Sequence, residues 1–241
     1  MKAYLLFLVF LFCSCACFGQ LAYEYPVKPG TEEWKAIDSQ LVKDSLCQIP
    51  DDIINRLTTE ELLDVCLEYP MLGDILAFNN VQDGIEGVKN NFNGIYELLL
   101  RTNCSQVLID RYVNTSPKDF QESWSLFKKG DYSFKIMVLE LLIAQPEITS
   151  RLNVEQKKTL ISNLIEKKVD KSNPEIYGRT SHMTVYFTIS KVLISDAIYY
   201  ELTKDLMDDV VKLSTSGNLK ATSLVPQIHQ LAIAYINDNS L

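Results

Sequence analysis

Apolar residues in this chain recur three and four positions apart, behind residues suited to starting helices, along almost its whole length. Thr58 and Glu61 frame a capping box before LLDVCL, and Asn153 pairs with Gln156 in the same way. Pro50 precedes Asp51 and Asp52, Ser116 precedes Pro117 and Asp119, and Asn173 precedes Pro174 and Glu175, which puts acid beside the positive end of a helix dipole. Behind Asn153, the residues Leu160, Ile161, Leu164 and Ile165 form one stripe, and Lys157, Lys158, Asn163, Glu166 and Lys167 are assigned to the solvated face. Equivalent stripes run through Ile136, Leu139, Leu142 and Ile143, and through Ile228, Leu231, Ala232 and Tyr235. This patterning predicts an all-α fold.

The stretch from Thr184 to Ile194 tests that reading, because its β-branched and aromatic residues would suit a strand. Met183, Tyr186, Phe187, Ser190, Leu193, Ile194 and Ala197 nevertheless keep helical spacing, and no second strand candidate exists to pair with it, so a buried helix is predicted. About ten helices joined by short turns suggest stacked antiparallel helical hairpins, either an irregular α-solenoid or an orthogonal helical bundle. ELLDVCLEYP, YELLLRTNCS and LELLIAQPE echo one another loosely, without a diagnostic repeat signature. The polar run 169–182 reads as a surface loop inside one domain.

The N-terminus reads as a targeting segment. Lys2 is followed by an apolar run from Tyr4 to Phe12 and by small residues up to Gly19, the pattern of a secretory signal peptide over 1–19, with 20–30 an extended linker and 31–241 a single helical domain. Cleavage before Gln20 would release the chain into the periplasm or the extracellular space. A lipid on Cys15 or Cys17 would instead anchor it to the outer membrane. No segment has the length of a membrane span. Removing Lys2 with the signal takes Lys+Arg from 23 to 22 against 31 Asp+Glu, so the formal charge moves from −8 to −9. That sign excludes nucleic acid as the expected partner, since phosphate binding needs a clustered basic face.

Asn, Gly and Asp concentrate between Tyr69 and Arg101, in YPMLGDILAFNNVQDGIEGVKNNFNGIYELLLR. Such residues serve turns and caps, and they also line binding sites. The pattern YPxLGDIxAFNN followed by FNGxxELLxR resembles a group of exported, all-helical proteins of Bacteroidetes. The resemblance spans about a third of the chain and implies the compartment and the helical fold, with no activity attached. A calcium loop fails on spacing: Gly84 in the sixth position places Val81 third and Asn90 twelfth, where carboxylates belong. The candidate ligand-binding residues are Asp74, Asn79, Asn80, Asp83 and Asn93, with caps and close helix packing as the competing explanation.

No catalytic residue, metal ligand or cofactor is assigned. His182 and His229 lie more than forty residues apart, and no CxxC, phosphate-cradling loop, dinucleotide fingerprint or serine-hydrolase elbow is present. Ser125 and Lys128 fit SxxK, a spacing expected by chance at this composition. Cys47, Cys66 and Cys104 remain outside the signal, an odd number that leaves a Cys47 to Cys66 bridge and three free thiols equally open. The expectation is an exported, non-catalytic binding or scaffolding protein with a protein or peptide partner, and the alternative is an extracytoplasmic hydrolase using carboxylates or His182.

Overall fold

Helices account for all the regular structure in the computed structural model, which describes residues 22–238. The signal segment 1–19, with Cys15 and Cys17, lies outside the described residues. In the first half of the chain the helices are α1 (Glu32–Lys35), α2 (Gln40–Leu46), α3 (Asp51–Ile54), α4 (Thr59–Leu67), α5 (Val81–Asn91), α6 (Asn93–Leu100) and α7 (Cys104–Asn114). In the second half they are α8 (Leu126–Ile143), α9 (Pro146–Thr149), α10 (Val154–Asp170), α11 (Arg179–Ile194), α12 (Ala197–Thr203), α13 (Asp208–Ser216) and α14 (Val225–Asn237). Short 3-10 turns occupy Leu72–Ala77, Lys204–Leu206 and Thr222–Leu224. The fold is all-α, with no strand among the described residues, and no described helix is long and apolar enough to cross a membrane.

Helix α11 sits at the centre, packed against α8, α10, α12, α13 and α14. It is buried from Met183 to Ser190 on every side, including Thr184, Thr188 and Ser190. Their hydroxyls are satisfied within the helix: Thr188 donates to the Thr184 carbonyl at 2.9 Å and Ser190 to the Tyr186 carbonyl at 2.8 Å. Backbone bonding of this kind lets small polar residues enter a core helix without orphaned donors. The first half packs α6 on α4 and α5, and α7 joins it to α8 and α10.

Thr58 and Asn153 both form complete capping boxes, at α4 and α10. Ser116 and Asn173 start turns instead of helices. At the first, Tyr132 donates to the Ser116 carbonyl and Tyr177 to the Pro117 carbonyl, so the oxygens a helix would use are taken by side chains from elsewhere. At the second, the Asn173 side chain accepts from Glu175 N–H at 3.0 Å and Ser133 takes the Ile176 carbonyl, and the helix begins only at Arg179.

The lysines of α10 also depart from the expected solvated face. Lys157 and Lys167 are 6% and 7% exposed, and they extend the Leu160, Ile161 and Leu164 stripe by a turn at each end. Their alkyl stems lie on apolar neighbours while the ammonium groups reach carbonyls beyond helix ends. Lys157 Nζ donates to Ser195 O at 3.1 Å, past α11, and Lys167 Nζ to Thr115 O at 2.7 Å, past α7. Arg101 does the same for Ile54 and Leu57 at α3, and Arg151 for Leu99 and Arg101 at α6. Bonds from cations to the last carbonyls of a helix complement its negative end.

Residues 22–30 contain no helix and lie on the core: Tyr25 and Val27 are buried, and Tyr25 donates to the Val65 carbonyl at 3.1 Å.

Candidate functional site

The Asn/Gly-rich stretch folds into the Leu72–Ala77 turn, α5 and α6, and its polar residues go to separate tasks. Asn80 caps α5, accepting from Asp83 N–H at 2.8 Å and donating to the Asp83 carboxylate at 2.7 Å. Asn93 grips the backbone of Ile49, accepting from its N–H at 3.0 Å and donating to its carbonyl at 2.7 Å. Gln48 completes the corner by accepting from Asn93 N–H and donating to the Asn91 carbonyl. Asn79 is exposed and shares a cavity of about 370 Å³ with Asn80. Asp74 faces a different cavity of about 260 Å³, where burial and then the Asp44 charge push its carboxyl above its usual range. The five candidates therefore do not converge on one cleft; Asn80, Asp83 and Asn93 hold local structure.

Close packing explains the glycine at the centre of this segment. A Cβ on Gly84 would overlap the backbone carbonyl of Ile75, so only glycine lets α5 lie against the preceding turn.

A larger cavity, about 710 Å³, lies elsewhere, between the N-terminal segment, the turn after α4 and the first turns of α8. Five aromatic rings are among its lining residues: Tyr23, Tyr25, Tyr69, Phe127 and Phe134. Internal contacts fix most of them. Tyr69 stacks on Phe92 with centroids 3.9 Å apart, and Tyr23 meets Tyr25 edge to face at 5.2 Å. Phe127 is the exception, 86% exposed on a helix capped by Ser125. Glu24, Glu68 and Asp131 line the same groove, with Lys28 as the cation among the lining residues. Lys135 bonds Glu68 and sits 2.9 Å from Asp131. Burial lowers the Lys135 pKa, but hydrogen bonds to Glu68 and Asp131 outweigh it and hold the group above its ordinary value. It stays charged and fixes both carboxylates in place.

No protein-family model, curated protein or solved structure matches the chain. Functional assignment therefore starts from the groove itself.

Burial, then the charges of Lys171 and Lys168, push the His182 pKa below the ordinary value, and its buried Nδ1 has no hydrogen-bond partner. Glu140 has no exposure and is bonded by Lys171, Tyr112 and Thr184, so it is closed to substrate. No three His, Cys, Asp or Glu side chains group as a metal site among the described residues. Cys47, Cys66 and Cys104 are all buried, free thiols.

Sequence reading missed the groove because residues 20–30 had been assigned to a linker. The signal was present in the alternation of Tyr23, Tyr25 and Val27 with Glu24, Pro26 and Lys28, which matches a period of two.

Proposed function

We propose that this chain is an exported, non-catalytic binding or scaffolding protein that holds a protein or peptide partner in the groove beside α8. The observation that carries the reading is Phe127, a large aromatic 86% exposed at the mouth of an aromatic-walled cavity of about 710 Å³. Exposing such a ring to water is costly unless a partner covers it, and aromatic anchors dominate binding energy at interfaces. The size falls within the range of ligand sites, and its walls are held by internal contacts, so little ordering is needed on binding.

Export rests on the sequence of residues 1–19 and on the resemblance to exported helical proteins of Bacteroidetes. The working location is the periplasm or cell exterior, with lipid attachment at Cys15 or Cys17 as the alternative. Intact mass of the chain purified from its native envelope separates the two: a start at Gln20 without added mass supports free export, and acyl mass on a terminal Cys supports anchoring.

A photo-crosslinking residue in place of Phe127 tests the groove in native envelopes. A discrete adduct at this position, absent when the same residue replaces the exposed Leu41, supports the reading. Identical background labelling at both positions removes it.

A further inference from the structure

Resting on that reading, we infer that the occupant of the groove is an extended basic peptide, added as a strand along residues 23–27. Three observations converge on this class of ligand. Tyr23, Tyr25 and Val27 turn toward the protein while Glu24, Pro26 and Lys28 are exposed, the side-chain alternation of a strand in an otherwise helical chain. No backbone N–H or C=O from Tyr23 to Val27 bonds to another described residue. A run of unpaired main-chain groups in an extended segment is a template for pairing with another chain.

Pro26 supplies no N–H, and the chain bends there and at Ala22 and Tyr23, so the straight run is confined to the residues between. In a strand the N–H and C=O of one residue point to the same edge, so Tyr23, Tyr25 and Val27 present an edge with every donor intact, whereas the opposite edge loses one at Pro26. Pairing therefore falls on the Tyr edge and is short, about two to four bonds, since neighbouring residues on one edge are roughly 7 Å apart.

The side chains around this edge specify the chemistry of the occupant. Glu24, Glu68 and Asp131 line the groove with Lys28, which sits 3.9 Å from Glu24; counting Lys135 beside them, three carboxylates face two cations and one negative charge is left over. Lys135 occupies part of the Glu68 and Asp131 carboxylates from beside the groove, and their remaining lone pairs accept further donors. Cations also favour the exposed face of Phe127. A peptide alternating Lys or Arg with apolar residues satisfies both the carboxylates and the aromatic wall. A second copy of this chain, at a formal charge of −8, is a poorer electrostatic match.

The test uses the full chain and four fluorescent hexapeptides: Lys-Phe-Lys-Val-Lys-Phe, its Glu-for-Lys counterpart, and two forms of the basic peptide N-methylated at alternate amides, one on each edge. Fluorescence anisotropy is expected to show saturable binding of the basic peptide, weakening with salt, and at least about tenfold weaker binding of the acidic one. Methylation on one edge should weaken binding by about tenfold and methylation on the other leave it unchanged, as strand addition requires. Glu24→Gln and Phe127→Ala, both exposed positions, should each weaken the basic peptide with the melting temperature retained. Equal binding of basic and acidic peptides, equal binding of both methylated forms, or no binding at all overturns the inference. A crosslinked partner at position 127 alongside any of these results preserves the binding function and discards only this class of ligand.

Discussion

Lys171 and Glu140 lie 2.6 Å apart, Nζ to Oε1, with neither side chain reaching solvent. Three parts of the chain meet there: Tyr112 of α7 donates to Glu140 Oε1 at 3.0 Å, Thr184 of α11 donates to Oε2, and Lys171 also donates to the Ser181 carbonyl at 2.8 Å. A buried ion pair gains little over a well-packed apolar pair, but removing one partner strands a charge at a cost of about 3–5 kcal/mol. Glu140→Gln and Lys171→Met should each destabilise by that order, and the double variant by clearly less than the sum. Urea unfolding of the four proteins completes the cycle. Additive losses would mean that the two charges do not sense each other.

Two other groups set the acid limits of stability. His182 is pushed below its ordinary 6.5 by burial and by Lys171 and Lys168, so the unfolded chain takes that proton first as the pH drops. Its contribution is complete above pH 6.5 and is lost as the pH falls through the depressed folded value. Burial raises the Asp196 pKa, but bonds from Tyr235 and the Tyr199 N–H together with Lys157 outweigh it and hold the carboxyl below its ordinary 3.8. Its contribution is present above pH 3.8 and is lost below. His182→Gln should flatten the first decline and Asp196→Asn the second, measured as unfolding free energy against pH. An unchanged profile in both variants would refute the assignment.

Local signals were the legible ones. Thr58 with Glu61 and Asn153 with Gln156 cap helices because a capping box involves only residues three apart, and Met183 to Ile194 reads as a helix because periodicity outlasts β-propensity, although the stripe expected to reach Ala197 stops at Ile194 and Ala197 starts α12. Lys157 and Lys167 were misplaced because hydropathy scores a lysine by its charge, while here the stem packs and only the ammonium seeks a carbonyl. The groove was legible only in part: the alternation of Tyr23, Tyr25 and Val27 is local, but Tyr69 and Phe127 are far from it in sequence, and no local pattern brings them to it.

That distinction makes Asn93 and Asn79 a sharp contrast. Both came from the same composition signal, yet Asn93 satisfies both backbone groups of Ile49, whereas Asn79 is exposed. Asn93→Ala leaves a donor and an acceptor unpaired and should cost about 1–3 kcal/mol. Asn79→Ala should change stability by no more than about 0.5 kcal/mol. Thermal melts of the pair decide it; equal shifts would mean the bonds to Ile49 contribute nothing.

Glycines separate in the same way. Gly84→Ala forces a methyl into the Ile75 carbonyl, a backbone group that cannot rotate aside, so α5 must shift from the preceding turn. A loss of about 1–3 kcal/mol, the order seen for overpacking, is expected. Gly73→Ala meets nothing within 4 Å and serves as the control. If the Gly84 variant melts with wild type, the close approach of α5 is not required by the fold.

Cys47, Cys66 and Cys104 are the last test, because the proposed export would require free thiols to be protected from oxidants. Their exposures are 0%, 1% and 0%. Burial, with the Asp44 charge, pushes Cys47 up to about 11; burial pushes Cys104 up to about 12 despite Arg151 and Arg101, and drives Cys66 well above its ordinary value. Only the thiolate is nucleophilic, so at neutral pH each thiol is both covered and protonated. Iodoacetamide should leave all three unmodified in the native chain and alkylate all three in urea, read by peptide mass. Rapid native labelling of any one would show that its helix opens on the timescale of the reaction. A Cys47 to Cys66 disulfide in the isolated chain would contradict the free, buried thiols found here.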